Sequence, residues 1–215
     1  MTEERDLAAA LAQLAPGGVA AGLEARFRQL AGAQGLVDVA YRTLDSPVGE
    51  LLLASTPAGL VRVAFASGRH DAVLAELALA ISPRVLHLPA RLDQAARELE
   101  EYFAGRRRSF DLALDFQLAT GFRREVLAQL PTIPYGHTAS YTAVAARTSS
   151  PRAVRAVGTA CARNPLPLVV PCHRVVRSDG SAGSYLGGVD AKALLLALEA
   201  GRQFSRARQG GAGRQ

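Results

Sequence analysis

The sequence predicts a small α/β domain followed by a mainly helical domain, and three observations support this fold class. Between residue 39 and about residue 117, apolar residues first alternate with a period of two and then recur at helical spacing, as in a sheet covered by helices. From Thr120 onward, short helical segments alternate with loops. The 215 residues, of which 49% are hydrophobic, provide enough apolar material for one or two small domains.

The first element is an amino-terminal extension, residues 1–38. Its apolar residues share helical faces on either side of a Pro-Gly-Gly break, and they are Leu7, Leu11, Leu14, Leu23, Phe27 and Leu30. We expect two short helices that pack on the body of the protein or on a partner.

The α/β domain, residues 39–117, comes next. Three strands separated by short turns, two helices and a last strand are expected at Val37–Leu44, Glu50–Thr56, Leu60–Ala66, His70–Ile81, Arg91–Phe103 and Phe110–Phe116. Because the first three strands are consecutive, a meander is the simplest arrangement. This domain shows no catalytic cluster in its sequence.

Two short helices joined by a tight turn follow in the carboxy-terminal half. The first is expected at Ser140–Ala146, and the second begins at Pro151, after an N-cap at Ser150, and ends at Arg163. On the second helix, Val154, Val157, Gly158 and Cys161 share the inward face, whereas Arg152, Arg155, Thr159 and Arg163 project elsewhere. The pattern fits a helix-turn-helix DNA reader, although any helical hairpin with a basic face would show it.

The charge balance favours a polyanionic partner. Lys and Arg number 25 against 19 Asp and Glu, a formal net charge of +6, and Lys192 is the single lysine. Residues 119–201 carry an excess of five positive charges, so most of the surplus lies in the half with the helical hairpin. Arginine suits phosphate contacts, but a GC-rich genome explains its abundance equally well.

Several functional classes are disfavoured. Two cysteines, Cys161 and Cys172, and four histidines without metal-ligand spacing supply neither a disulfide framework nor a zinc site. The acidic start of the chain does not resemble a secretory signal, and no apolar run is long enough to span a membrane. We therefore expect a cytoplasmic protein with reduced thiols, no metal, no cofactor and no membrane partner.

The strongest local feature is the segment from Asn164 to Val175. An apolar run ends at Pro171, and Cys172 and His173 follow directly. A histidine close to a cysteine can take its proton, directly or through one water, and so activate the sulfur as a nucleophile. A buried cysteine beside a structural histidine is the alternative.

A third member of this cluster is expected at Glu199. This residue falls on an otherwise apolar stripe of a helix that we predict at Ala191–Ala200, with Asp190 as its cap. A carboxylate on an inward face needs a partner, and His173 is a reasonable one. The resulting Cys-His-Glu arrangement would also suit a cysteine hydrolase.

The sequence closely resembles the O6-alkylguanine-DNA alkyltransferases, also called methylated-DNA-protein-cysteine methyltransferases. The matching motifs are Pro171-Cys172-His173-Arg174-Val175-Val176, Asn164-Pro165, Gly183-Ser184-Tyr185-Leu186-Gly187-Gly188, Ile133-Pro134-Tyr135-Gly136, Ser140-Tyr141 and Arg155-Ala156-Val157-Gly158, with looser matches at Ser46-Pro47-Val48-Gly49 and Tyr102-Phe103-Ala104-Gly105. The resemblance covers roughly residues 39–201.

The family implies a ribonuclease-H-like α/β domain at residues 39–117 and a winged helix-turn-helix alkyltransferase domain at residues 118–201. It implies double-stranded DNA containing O6-alkylguanine as the partner, entry of the recognition helix into the minor groove, and flipping of the damaged base into the protein. The extension at residues 1–38 and a basic, flexible tail at residues 202–215 lie outside the resemblance. We expect a monomer in solution, and the sequence leaves open whether binding along DNA is cooperative.

The resemblance also implies a role for each matching residue. Cys172 accepts the alkyl group, His173 is its water-mediated base, Glu199 orients the histidine, and Asn164 braces the turn. Tyr141 rotates the target phosphate and assists protonation of the guanine, while Arg155 fills the space left by the flipped base. Arg152 and Thr159 lie beside Arg155 and are expected to contact DNA.

The substrate pocket is expected at Pro167, Val175, Tyr185, Leu186 and Gly187. Leu186 stands where some relatives have a small polar residue, and Leu127 stands where many have tryptophan, so pocket width and packing are expected to differ. Because a thioether has no evident route back to a thiol, each molecule is expected to react once. O4-methylthymine is a second candidate substrate, and the sequence does not decide between it, O6-methylguanine and larger alkyl groups.

Two other functions fit part of the pattern. One is a DNA-binding transcriptional regulator triggered by self-alkylation, although the chain lacks the additional metal-bearing module that such activators carry. The other is a cysteine hydrolase, which leaves Tyr141 and the outward arginines unexplained.

Overall fold

The structure is a computed structural model that describes residues 35–65 and 70–201, together with Gly22 and Arg26. Most of the predicted helical extension and the whole tail at 202–215 lie outside the described residues. None of the described helices is long and apolar enough to cross a membrane.

A four-stranded sheet forms the first domain. Strands β1 (Val39–Leu44), β2 (Leu51–Thr56) and β3 (Gly59–Phe65) pair antiparallel in sequence, and β4 (Val85–His87) adds parallel to β1, giving the order β3-β2-β1-β4. The predicted meander is therefore confirmed. Strand β4 was not predicted, because three residues are too few to show a periodicity.

The expected strand at Phe110–Phe116 is wrong. Only Leu114 forms a bridge, to Leu60 of β3, and the neighbouring backbone is held by side chains instead. Gln94 donates to the carbonyl of Asp111, and the Asp111 amide donates to Glu98 at 2.8 Å. These helix side chains satisfy the backbone groups of Asp111, so pairing with β3 is limited to the two backbone hydrogen bonds that Ala113 and Asp115 make with Leu60.

Helices cover both faces of the sheet. Helix α1 (His70–Ala80) buries Leu77 against alternate residues of one face, including Leu52 and Val61. Helix α2 (Asp93–Phe103), which follows a 3₁₀ turn at Pro89–Leu92, packs Leu99 against the other face. Both helices start and end within two residues of their predicted positions.

The second domain is mainly helical. Helices α3 (Gly121–Gln129), α4 (Tyr141–Ala145), α5 (Val154–Ala162) and α6 (Gly188–Glu199) surround a short parallel pair of strands, β5 (Ala139–Ser140) and β6 (Val175–Val176). Helix α5 packs against α3 and α4, and it buries Val157 and Cys161 as expected. Leu127 of α3 is fully buried in this core.

Two predicted helix starts are wrong. Helix α5 begins at Val154 and not at Pro151, because residues 150–153 close a turn in which the Ala153 amide donates to the Ser150 carbonyl. Arg152 consequently lies in this turn. Helix α6 begins at Gly188, so Asp190 lies in its first turn and does not cap it.

The two domains share one core. The buried cluster that includes Leu99 of α2 continues without a break through α3 and α5 to Leu195 of α6. The edge of the sheet also joins the second domain, because the Val63 amide donates to the Pro165 carbonyl at 2.8 Å. The segment that leads to Cys172 is therefore held by a hydrogen bond from the first domain as well as by packing in the shared core.

Candidate active site

Cys172 lies at the start of a 3₁₀ turn, Cys172–Arg174, at the junction of the two domains. The preceding loop contains Leu168 at a φ of +75°, a conformation that is rare for a residue with a branched side chain. Asn164 braces this loop: its Oδ1 accepts from the Leu166 amide at 3.0 Å, and its Nδ2 donates to the Val170 carbonyl at 2.8 Å.

The same Asn164 amide reaches the sulfur. Its Nδ2 donates to Sγ of Cys172 at 3.1 Å. Cys172 is only 2% exposed, and this burial raises the pKa of its thiol to about 11, although the Asn164 hydrogen bond and the charge of Lys192 lower the pKa in opposition. The sulfur therefore rests as a thiol at neutral pH, and a base must remove its proton before it can act as a nucleophile.

His173 follows Cys172 directly in the chain and carries an imidazole, a common side-chain base. Its ring is fully buried, and Nε2 lies 2.8 Å from Oε1 of Glu199. Burial lowers the pKa of His173 below its ordinary value of 6.5, so the ring is neutral and Nε2–H donates to the carboxylate. Nδ1 has no hydrogen-bonding partner among the described residues and carries the free lone pair.

Glu199 accepts hydrogen bonds from four residues. Oε1 accepts from His173, from the Tyr102 hydroxyl at 2.7 Å and from Nη2 of Arg174 at 3.1 Å. Oε2 accepts from Nε of Arg174 at 2.9 Å and from the Gly136 amide at 3.1 Å. Although burial raises it, the pKa of Glu199 is lowered to about 2 by the hydrogen bonds and charges of His173 and Arg174, so the carboxylate stays ionised.

Gly136 shows why a glycine is needed beside this carboxylate. Its φ is +77°, and a Cβ at this position would lie 3.0 Å from the Glu199 carbonyl oxygen. Only a residue without a side chain brings its amide this close to the end of α6.

Lys192 is buried and does not contribute to the surface charge. Its side chain is fully covered, and Nζ donates to the Val175 carbonyl at 2.6 Å. Arg174 is 6% exposed and is paired with Glu199. Two of the cations counted in the second domain therefore belong to its interior.

The glycine-rich loop at 183–188 closes one side of the site. A Cβ on Gly183 would lie 3.2 Å from the Tyr141 hydroxyl. The Tyr185 ring stands 6.2 Å from that of His173, and its buried hydroxyl makes no hydrogen bond within the described part of the chain. Phe65, at the end of β3, packs edge-on against Tyr185 at 5.6 Å.

The other expected pocket residues are divided between two places. Pro167 and Leu186 line an open groove of about 650 Å³ together with Phe65. Val175 is fully buried and, like Tyr185 and Gly187, does not line this groove. Arg155 and Thr159 of α5 and Arg152 of the preceding turn are all exposed to solvent.

Both domains match known families. Residues 39–116 match "6-O-methylguanine DNA methyltransferase, ribonuclease-like domain", and residues 121–201 match "6-O-methylguanine DNA methyltransferase, DNA binding domain". The methylated-DNA–protein-cysteine methyltransferase of Methanosarcina barkeri is 40% identical over 159 residues, which cover 74% of this chain and 96% of the relative. The chain belongs to the 6-O-methylguanine DNA methyltransferase family.

Solved structures of this methyltransferase family agree with the fold. The crystal structure of Mycobacterium tuberculosis O6-methylguanine methyltransferase superposes with a TM-score of 0.67 at 36% identity, covering 78% of this chain and 96% of that chain. A structure of the Mycobacterium tuberculosis OGT in complex with DNA superposes with a TM-score of 0.64, covering 76% of this chain and 94% of that one. The expected family, enzyme class and two-domain fold are confirmed.

Tyr102 was missed as a site residue of this methyltransferase, because the first domain showed no catalytic cluster in its sequence. The signal was available in α2, where Tyr102 falls on the apolar stripe that includes Ala95 and Leu99. A buried tyrosine hydroxyl needs a partner, but the sequence could not show that this partner lies 97 residues further along the chain.

Proposed function

We propose that this protein repairs DNA by transferring the alkyl group of O6-alkylguanine to Sγ of its own Cys172. The observation that carries the proposal is the buried Cys172 thiol, which accepts a hydrogen bond from Asn164 at 3.1 Å and is followed in the chain by His173, itself hydrogen-bonded to Glu199. A relative that shares 40% of the aligned residues is named as a methylated-DNA–protein-cysteine methyltransferase, which supports the same chemistry.

The transfer is a single displacement. The thiol proton of Cys172 passes to Nδ1 of His173, directly or through one water, and the carboxylate of Glu199 stabilises the resulting imidazolium. The sulfur forms a bond to the alkyl carbon while the bond from that carbon to O6 breaks, and the bonding electrons remain on the guanine.

The leaving guanine must be neutralised, because an anionic base departs poorly. Tyr141 is the donor that we assign to N3 of the guanine. Its hydroxyl lies beside the glycine-rich loop, and burial raises its pKa, so the hydroxyl keeps its proton until the base requires it. The proton held by His173 balances the proton given up at Tyr141, and the net products are S-alkylcysteine and guanine.

The exposed basic face of α5 supports DNA as the partner. Arg155 is solvent-exposed near the middle of the family-matched DNA-binding domain, where a guanidinium can enter the duplex and replace the base that has flipped out. We assign Arg152 and Thr159 to contacts beside it. A flipped base is required because stacking shields the O6 alkyl carbon from a buried sulfur.

The proposal is tested by intact-mass measurement after mixing the protein with a duplex that contains one O6-methylguanine. We expect a mass gain of one methyl group in the wild type and in Cys161→Ala, and no gain in Cys172→Ala. A second duplex with O4-methylthymine tests the wider substrate range. An unchanged wild-type mass on the O6-methylguanine duplex, under conditions where the protein binds it, overturns the proposal.

A further inference from the structure

The hydroxyl of Tyr102 connects the first domain to the reactive pair of the second. Tyr102 lies in the last turn of α2, is fully buried, and donates to Oε1 of Glu199 at 2.7 Å. The same hydroxyl oxygen lies 3.4 Å from Nε2 of His173. Within the described residues, this is the side-chain hydrogen bond by which the α/β domain reaches the His173–Glu199 pair.

The ring of Tyr102 is held by an aromatic cluster. Its centroid lies 5.4 Å from those of Phe103 and Phe110, both in the first domain, and 6.1 Å from that of Tyr135. Edge-on and tilted contacts of this kind restrict the orientation of the ring. The position of the hydroxyl is therefore set by aromatic residues of both domains, two of them, Phe103 and Phe110, in the first.

We infer that Tyr102 is a positioning residue for alkyl transfer, through which the amino-terminal domain orients Glu199 and sets the basicity of His173. The inference rests on the function proposed above. Tyr102 acts through Glu199 and touches neither the sulfur nor the alkyl group.

The physical basis is competition for one carboxylate oxygen. Oε1 of Glu199 accepts from Tyr102, His173 and Arg174. Each donor draws electron density from this oxygen and so weakens the hydrogen bonds of the other two. If the Tyr102 hydroxyl is removed, more charge remains for His173, and its hydrogen bond to Oε1 becomes stronger. His173 then binds a proton more tightly.

The Tyr102 hydroxyl keeps its proton and therefore remains a donor to Glu199. Burial and the charge of Glu199 raise the pKa of its hydroxyl far above the usual value of 10, so it stays protonated at every ordinary pH. The other polar groups that interact with His173 or Glu199 come from several elements and are Arg174, Lys192, Tyr135, Tyr185 and the Gly136 amide. All of them are retained in Tyr102→Phe.

The experiment compares Tyr102→Phe with Tyr135→Phe. Tyr135 is the matched control, because its hydroxyl reaches only the Leu198 carbonyl, at 3.5 Å, near the same end of α6. In ¹⁵N-histidine-labelled protein, we expect the Nε2–H proton of His173 to move downfield in Tyr102→Phe and to stay in place in Tyr135→Phe. The acid limb of the single-turnover rate profile should move upward by about 0.5 to 1 pH unit in Tyr102→Phe only.

A second substitution is expected to move the chemical shift of the His173 Nε2–H proton in the opposite direction. Site-specific 3,5-difluorotyrosine at position 102 keeps the ring and makes the hydroxyl a stronger donor, so the His173 Nε2–H proton should move upfield. A purely structural role predicts no reversal of sign. An unmoved His173 resonance in both Tyr102 proteins overturns the inference, even where Tyr102→Phe unfolds at a lower temperature.

The two proposals fail separately. The resonance of His173 is measured without substrate. If the Tyr102 variants shift it but the wild-type protein does not demethylate DNA, the proposed function is overturned and the link between Tyr102 and His173 stands. Normal methyl transfer with an unshifted resonance would overturn the Tyr102 link alone.

Discussion

A single residue, Glu199, draws together several separate parts of the chain. Its carboxylate accepts from Tyr102 of α2, from Gly136 in the loop before β5, and from the adjacent His173 and Arg174. A buried charge is tolerated only when it is compensated in this way. The sequence indicated that Glu199 needs a partner, but it indicated only one of them, because the other contacts depend on the packing of the two domains.

At the residue scale, Asn164→Ala should slow methyl transfer about 10-fold to 100-fold, since it removes the donor 3.1 Å from the reacting sulfur and a hydrogen bond to a charged group contributes about 1.5 to 3 kcal/mol. The measurement is the single-turnover rate at saturating methylated duplex. Asn164 also braces the loop, so the thiol pKa should be followed by thiolate absorbance in a Cys161→Ala background. An upward shift in that pKa separates loss of the sulfur contact from loosening of the loop, and an unchanged rate would contradict the role of Asn164.

At the element scale, the sequence predicts an element well where its structure depends on its own residues, and poorly where it depends on contacts with other elements. Strands β1 to β3 and helix α2 follow the apolar pattern of their own residues and were predicted to within two residues, as was α1, although its Leu79 is exposed. The segment around Leu114 and the start of α5 were not, because side chains of α2 hold the first and a backbone turn delays the second. The contact between Cys172 and Asn164 was likewise beyond reach, although both residues were identified.

The glycine-rich loop packs against Phe65, the last residue of β3. A Cβ on Gly187 would lie 2.6 Å from the Phe65 ring, and the backbone there, at a φ of −86°, accepts alanine without strain. Gly187→Ala should therefore slow methyl transfer by displacing the loop or the ring. The measurement is the transfer rate of a double-mutant cycle with Phe65→Ala. The double variant should recover part of the rate lost by Gly187→Ala, whereas additive losses would show that the clash is not the cause.

Helix α5 is expected to act on the duplex and not on the chemistry. Arg155→Ala should slow repair of O6-methylguanine in duplex DNA at least about 10-fold while leaving the reaction with free O6-benzylguanine unchanged, because a free base needs no flipping. The rates on the two substrates are compared by intact mass over time. Arg84→Ala is the matched control, since Arg84 is an exposed arginine paired with Asp38 in the first domain. Equal loss on both substrates would assign Arg155 to the fold.

At the scale of the whole molecule, the two domains are joined by one continuous core and by the hydrogen bonds around Glu199. The shared interior buries the 3₁₀ turn Cys172–Arg174, which carries the cysteine. It also makes the stability of the molecule depend on the ionisation of two buried groups, His173 and Glu199.

Both groups bind protons more weakly in the folded protein than in the unfolded chain. Burial lowers the pKa of His173 below 6.5, and its hydrogen bonds lower that of Glu199 from 4.5 to about 2. The unfolded chain therefore takes up a proton first as the pH falls, so the free energy of unfolding should decrease, with a slope of up to about 1.4 kcal/mol per pH unit for each proton. The decrease begins as the pH falls below 6.5 and continues between 4.5 and 2.

Urea unfolding at a series of pH values measures this dependence. His173→Gln removes the group responsible for the first window, so its free energy of unfolding should be flat between pH 8 and pH 5, where that of the wild type falls. His137→Gln, a change at an exposed histidine whose Nδ1 contacts the Tyr135 carbonyl, should retain the wild-type slope. If His173→Gln kept the wild-type slope, His173 would be protonated as easily in the folded protein as in the unfolded chain, which would contradict its proposed role as the neutral base of methyl transfer.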